Sequence, residues 1–514
     1  MSANRRDFIK FVVAGAVTAG CPIDLSLIAQ TGDSHKNSGA EVDGEHNQIC
    51  HQVRDKGSKA FARPPASARR DVVIVGGGVS GLAAAYRLQH LDVLLLEKEP
   101  HWGGNAYAMQ YEGSTYATGS AFLAKDEHAY HFAKEIGLEP LPIKSSDGTI
   151  LHGEMIYDTW GDGLDRLPYS VSIRESFKKF KQEMLAIDLE KRGRELFETP
   201  LVNLLKPYPV ELKQWWDDFG PSNWGAISDE TAATVAIEAL REMADESKTD
   251  DRYTWPGGLG AITKKLAEIL QPKYGERMQS GATIVAVVPG KDEVQVTYIK
   301  DGETDPKTVA AKAVIMATPK FITRRIVDGL PEKQSEAMHK IHYIPYPVVN
   351  LIFDRPVFNE GYDTWCPGNR FTDFIVADWV IRNQPGYKQK HNIISCYTPL
   401  KREERAYLLN ENDARKVAAD VLTDFQKLMP SLNVDPVEVH IYRRGHPLYM
   451  SEPGLYTQVQ PLVRQPRDRI FFANTDSEGP ESTTNGGILA AQRAVKEVEA
   501  RLAGKPLPKE KPEQ

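Results

Sequence analysis

The chain has 514 residues, 41% of them hydrophobic, and 63 Lys+Arg against 70 Asp+Glu give a formal charge of −7. That length exceeds one compact core of common size and asks for two to four domains or one large interleaved pair, which excludes a peptide hormone or a small adaptor. The mildly acidic charge is spread along the sequence with no basic stripe to neutralise phosphates, so nucleic acid is not an expected partner.

Asn4-Arg5-Arg6-Asp7-Phe8-Ile9-Lys10 precedes an apolar stretch, Phe11 to Gly20, that is too short to span a bilayer. Residues 1–30 therefore read as an export signal. The arginine pair followed by Phe8 and Lys10 resembles the bacterial twin-arginine signal, with Asn4 and Ile9 in place of the usual Ser/Thr and Leu. The resemblance implies the twin-arginine export machinery as a partner, export of a folded chain that already holds its cofactor, and a periplasmic location; an ordinary secretory signal is the alternative. Thr18-Ala19-Gly20-Cys21 also resembles a lipoprotein cleavage box, which would tether the chain to the membrane through Cys21. Residues 31–69, rich in Gly, Ser, His and charge, with Pro64-Pro65 near their end, read as a disordered linker and 506–514 as a tail. The cysteines Cys21, Cys50, Cys366 and Cys396 lack metal-ligand spacing, so no metal site is expected.

Asp71-Val72-Val73-Ile74-Val75 is a β-branched apolar run of the kind buried on both faces of a parallel sheet. Gly76-Gly77-Gly78-Val79-Ser80-Gly81 follows at once, and Val79, Leu82, Ala83 and Tyr86 recur at helical spacing. The glycines thus lie between a strand and a helix: Gly76 for the tight turn, Gly78 for close approach to a pyrophosphate, Gly81 for helix–strand packing, with Val79 and Ser80 opening the helix that receives the phosphate. A second strand, Asp92 to Leu96, ends in Glu97, placed to accept both ribose hydroxyls of a dinucleotide.

The next residues, Glu97-Lys98-Glu99-Pro100-His101-Trp102-Gly103-Gly104-Asn105, resemble the corresponding stretch of the flavin amine oxidase superfamily, which includes carotenoid desaturases and protoporphyrinogen oxidases. Those families usually carry Gly-Gly-Arg; here Asn105 stands in place of the arginine. Tyr116-Ala117-Thr118-Gly119, Trp255-Pro256-Gly257-Gly258-Leu259-Gly260, the strands around Ile284, Val294 and Ala313-Val314-Ile315-Met316, and Arg469 to Asn474 followed by Asn485-Gly486-Gly487 extend the resemblance over most of the chain. It implies FAD as cofactor, held by Gly76, Gly78, Val79, Ser80, Gly81, Glu97, Lys98, Gly103, Gly104, Asn105, Ile284, Asp476, Gly486 and Gly487. Ile284 would meet the adenine through its backbone, and Asp476 is the acidic residue of a terminal motif displaced by one position.

The implied architecture is α/β: a discontinuous Rossmann-like FAD-binding domain from residues 70–125, 255–325 and 441–505, with an α+β substrate domain from 126–254 and 326–440. Helical stretches are expected at Ile173 to Glu198, Ser228 to Lys248 and Arg402 to Met429, and a strand at Pro347 to Phe353. Trp160, Trp215, Trp216, Tyr343, Tyr346, Trp365, Trp379 and Tyr397 are candidates to line an apolar slot. Hydride transfer to a flavin needs positioning and exclusion of water more than an acid–base triad, so no catalytic dyad is expected; His342 and His446 are candidates to tune a proton. The strand matching a lysine-bearing strand of many amine oxidases has none here. The reading is an FAD-dependent oxidoreductase that takes a hydride from a C–N bond of a small-molecule amine or amino acid-like substrate and passes the electrons to oxygen or another acceptor. The alternatives are a C–C desaturase, a flavin-dependent isomerase and a non-enzymatic FAD-binding partner protein.

Overall fold

Val72 to Val75 are fully buried at the end of the strand Ala68–Val75, as their continuous apolar pattern requires. The strand lies at the centre of a sheet in a computed structural model that describes residues 39–44, 46–145, 147–244 and 252–508. Among these residues that sheet has seven strands. Its order is Met278–Gln279, Val93–Leu96, Ala68–Val75, Lys307–Met316, Val294–Lys300 and Ala282–Pro289, with Ile470–Phe472 paired to Lys307–Met316. Ala68–Val75 is parallel to Val93–Leu96 and to Lys307–Met316, and Ile470–Phe472 is parallel to the latter. Three stretches remote in sequence therefore make one sheet. The crossover helix Val79–Arg87 covers it, and the last long helix, Thr484–Leu502, packs on that helix through Ile488 and Ala491.

An eight-stranded sheet collects strands from both intervening regions, in the order Glu41–Gly44, Glu438–Arg443, Val348–Phe353, Asn392–Tyr397, Asp373–Val376, Asp363–Trp365, Gly148–Leu151 and Glu154–Tyr157. Helices Val171–Leu185, Leu189–Phe197, Val210–Trp224 and Ala233–Ala244 share a separate apolar cluster. The expected α/β class, with a nucleotide-binding sheet built from discontinuous segments, is the one found. No helix among the described residues is long and apolar enough to cross a membrane.

Several expectations need correction. The stretch from Ile173 to Glu198 is two helices, because Asp188 accepts from the Lys191 N–H and starts the second after a break at Ala186. The helix expected over Ser228 to Lys248 starts later, at Ala233, and is described to Ala244. Arg402–Leu408 is a 3-10 helix, and the α-helix Glu411–Leu428 begins only after Asn410 caps the Asp413 N–H. Within the linker expected at 31–69, the described residues carry regular structure. Glu41–Gly44 pairs in parallel with Glu438–Arg443, and Gln48–Lys56 is a helix that buries Val53. The Arg443 guanidinium donates to the carbonyls of Asp43 (3.2 Å) and Gly44 (2.8 Å). Backbone hydrogen bonds and one buried valine hold this segment, and neither leaves an apolar period in the sequence. The export-signal residues 1–30 lie outside the described residues.

Candidate functional site

The glycine turn is built as its spacing requires. Gly76 adopts φ +108°, and a Cβ there would lie 2.6 Å from the Ala317 carbonyl oxygen; a Cβ on Gly81 would lie 1.8 Å from the Gly76 oxygen. Gly78 differs. Its nearest neighbour would be Gly104 Cα at 3.8 Å, so open space lies in front of the backbone where a pyrophosphate must approach. The Gly103–Asn105 turn closes against this site through a bridge between Gly78 and Gly103 and the Gly103 N–H donating to Gly77 O at 2.9 Å. The N–H groups of Gly78, Gly104 and Asn105 donate to no backbone carbonyl among the described residues. Unpaired N–H groups beside a helix start suit an anionic phosphate.

Glu97 ends its strand beside this turn. Its carboxylate accepts from the Gly77 N–H at 2.5 Å and the Glu99 N–H at 2.8 Å, which fixes its orientation and leaves lone pairs for further donors. Burial pushes its pKa up, against the opposing pull of Lys98. Ile284 lies in the neighbouring hairpin, where the register shifts between Ile284 and Ala286. Gly486 and Gly487 open the last helix, whose cap Thr483 accepts from the Gly486 N–H at 3.1 Å. A Cβ on Gly487 would lie 2.8 Å from Val79 and 2.9 Å from Ser80 Oγ, so the two glycine-bearing helix starts meet. The open backbone at Gly78 and the fixed Glu97 carboxylate beside it fit an FAD diphosphate and ribose.

Three of the expected cofactor contacts are committed inside the protein. The Lys98 ammonium pairs with Glu99; burial opposes its charge, but Glu99, Cys50 and Glu97 hold its pKa above the usual lysine value. The Asn105 side-chain amide donates to the Pro447 carbonyl at 2.7 Å. Asp476, fully buried, accepts from Lys320 Nζ at 2.5 Å, the Lys320 N–H at 2.8 Å and the Tyr343 hydroxyl at 2.5 Å. Its carboxylate locks the turn before the last helix to the start of the helix Lys320–Ile326. Sequence reasoning missed Lys320, because a lysine just after Pro319 has the pattern of a solvated helix start.

The aromatic candidates divide. Trp160, Trp215 and Trp216 pack on one another and on Phe177 and Phe180, with Trp160 and Trp216 stacked at 5.7 Å, so they are the core of the helical region. Tyr346 and Tyr397 meet edge to face at 6.0 Å, and the Tyr397 hydroxyl donates to Gly119 O at 2.6 Å, next to the flavin loop. Tyr343 serves Asp476, and the Trp379 indole donates to Ile143 O. His446 is driven down to about 3 by burial and then by Arg405, so it is neutral at ordinary pH. His342 pairs with Glu452 at 2.9 Å. Glu41, Glu438 and His440 bring ligand atoms within 4.8 Å of one another. Both ring nitrogens of His440 are already engaged in hydrogen bonds, with Tyr116 at 2.7 Å and with Glu438 at 2.7 Å.

Four carboxylates that no motif announces gather beside the last helix. Burial pushes Glu481 up to about 8, with added repulsion from Glu242, Glu238 and Glu127. Glu127 rises to about 7 from burial and from Glu242, against the hydrogen bond it accepts from the Ala124 N–H. Glu238 is raised by burial and by Glu242 one turn along. The group adjoins the flavin helix start: Asn485 Oδ1 accepts from the Ala129 N–H, two residues after Glu127.

Residues 79–499 match the family described as flavin containing amine oxidoreductase. The chain is 23% identical to Oxidoreductase PigB of Serratia sp. over 87% of this chain and 77% of that one. It is 22% identical to human amine oxidase [flavin-containing] B over 83% and 86%. Among solved structures it resembles wild-type putrescine oxidase bound to putrescine (TM-score 0.64, 20% identity, 84% of this chain and 99% of that one). It likewise resembles cyclohexylamine oxidase of Brevibacterium oxydans (TM-score 0.65, 16% identity, 84% and 99%). With the glycine cradle, the Glu97 acceptor and a family match across most of its length, the chain belongs to the flavin-containing amine oxidoreductase family and is an FAD-dependent oxidoreductase.

Proposed function

We propose that this oxidoreductase dehydrogenates the C–N bond of a cationic amine and passes the electrons to oxygen or another acceptor. The observation that carries the reading is the group Glu127, Glu238, Glu242 and Glu481 at the start of the last helix. Carboxylates that repel one another in a poorly solvated site are stabilised by a cation, and an ammonium is the cation an amine brings. An apolar polyene would gain nothing from them, which disfavours the desaturase alternative. Relatives whose names include amine oxidase, putrescine oxidase and cyclohexylamine oxidase support the same reading.

FAD, when bound, supplies a hydride acceptor. The chain supplies the rest: carboxyl groups whose charged form a bound ammonium stabilises, a neutral His446, and tyrosines Tyr346 and Tyr397, the latter bonded to Gly119. The test is anaerobic spectrophotometry of the yellow holoenzyme with mono- and diamines, amino acids and polyenes. Bleaching by amines, weakened in Glu481→Gln through a higher KM, is expected. Bleaching by polyenes alone would overturn the reading, and no bleaching by any donor would favour an isomerase or a binding protein.

We further propose that residues 1–30 are a twin-arginine export signal, with Cys21 as a lipid anchor. Replacing Arg5 and Arg6 by lysine should block export and leave the flavin bound; unchanged export would reject it.

A further inference from the structure

The two glycine turns that receive the FAD diphosphate need positive charge, and the cationic side chains close to them are few. The helix start beside Gly78 contributes only a fractional charge. Lys98 is committed to Glu99, Asn105 is neutral, and His101 is held low by burial, with Arg444 adding to the effect. Arg444 is different. It follows the strand Glu438–Arg443, and because neighbouring strand residues face opposite ways, Arg443 turns outward to the 41–44 strand while Arg444 turns inward. Only 8% of Arg444 is exposed. One guanidinium nitrogen donates to the Gly104 carbonyl and to Thr118 Oγ1, both at 3.0 Å, and the guanidinium lies 4.2 Å from the centre of the Tyr442 ring. Gly104 is the residue that closes on Gly78: a Cβ on it would lie 3.1 Å from Gly78 Cα. A buried cation is thus fixed one carbonyl away from the contact between the two turns. It also pins the Gly104–Asn105 peptide, whose oxygen faces Arg444 and whose N–H, trans to that oxygen, faces away.

We propose that Arg444, delivered from the eight-stranded sheet, is a cofactor-binding residue that supplies the positive charge for the FAD diphosphate at the Gly78–Gly104 contact. Cofactor retention then depends on a residue of the second sheet as well as on the glycine motifs.

The experiment follows FAD release from the full-length holoenzyme by flavin fluorescence after dilution, over a series of KCl concentrations. Arg444→Gln should release FAD at least about tenfold faster, the loss of one charged hydrogen-bonding partner, with a shallower salt dependence. Arg444→Lys should keep the salt dependence. Asn105→Arg in the Arg444→Gln background should restore retention by returning a guanidinium to the same loop. Release and salt dependence unchanged in Arg444→Gln would overturn the proposal. So would a faster release repaired neither by lysine nor by the relocated arginine, since the side chain would then only pack on Tyr442. A shifted flavin midpoint potential with unchanged release would place the charge at the ring and overturn it too. If Arg444→Gln does not fold, Asn105→Arg alone carries the test: slower release is expected, and no change refutes it.

Discussion

Asp476→Asn tests whether the terminal flavin turn is held by a buried charge pair. Asp476 and Lys320 side chains are both 0% exposed, and the carboxylate takes the Lys320 ammonium, the Lys320 N–H and the Tyr343 hydroxyl, while Ser477 Oγ accepts from the ammonium at 2.6 Å. Asparagine keeps one oxygen for the neutral donors and leaves the ammonium without its anion. Removing one partner of a buried pair costs roughly 3–5 kcal/mol, a large part of a total stability of about 5–15 kcal/mol. Burial already lowers the Lys320 pKa, with Asp476 opposing that shift. Without the carboxylate the folded state therefore favours the neutral amine, while the unfolded chain keeps its proton to about pH 10.4. The unfolded state then binds more protons, so the stability of the variant should rise with pH through the alkaline range. Urea unfolding followed by circular dichroism and flavin fluorescence measures both effects. The double variant Lys320→Met/Asp476→Asn, with no buried charge, should recover most of the loss. A single variant within about 0.5 kcal/mol of the parent, or a double variant as weak as the single, would refute the reasoning.

Gly487→Ala places a Cβ 2.8 Å from Val79 and 2.9 Å from Ser80 Oγ; overpacking there should cost about 1–3 kcal/mol and lower the FAD content of the purified protein, read from its visible spectrum. Glu481, raised to about 8, binds its proton more tightly folded than unfolded, so stability should fall as pH rises from the ordinary glutamate range to about 8. Glu481→Gln should remove this slope, at most about 1.4 kcal/mol per pH unit, in thermal melts across that window. A cationic amine should offset the same loss in the parent. Arg443→Ala removes two donors from the 41–44 strand; proteolysis within residues 41–60 should become roughly tenfold faster while the flavin remains bound.

What the sequence made legible is what backbone geometry demands of single residues. Gly76, Gly81 and Gly487 are glycines because a Cβ would meet a carbonyl or a neighbouring helix start, and that requirement survives far along the chain. Val72 to Val75 and Ile470 to Phe472 are apolar because both faces of their strands are covered. Such constraints act residue by residue, so they can be read one at a time. The illegible features are pairwise. Lys320 and Asp476 lie 156 positions apart, and nothing local distinguishes either from a surface charge. Trp160, Trp215 and Trp216 invited a slot, yet they have buried indole nitrogens without an acceptor and pack against other rings, a cost that burying large apolar faces outweighs.

The segment 41–60 shows the same limit from the other side. Its composition matches a solvated tether, and its helix buries only Val53. Its order comes from partners elsewhere: the exposed edge of Glu438–Arg443, the Arg443 guanidinium, and Glu99, which meets His46 Nδ1 at 2.5 Å. Glu99 also donates its N–H to the Glu97 carboxylate at 2.8 Å. The strand that leads into Arg443 and Arg444 therefore ties this polar segment to the protein with one arginine and reaches the flavin loop with the next. An edge strand and a cofactor loop are coupled through adjacent residues that a sequence pattern alone shows only as two basic side chains in a row.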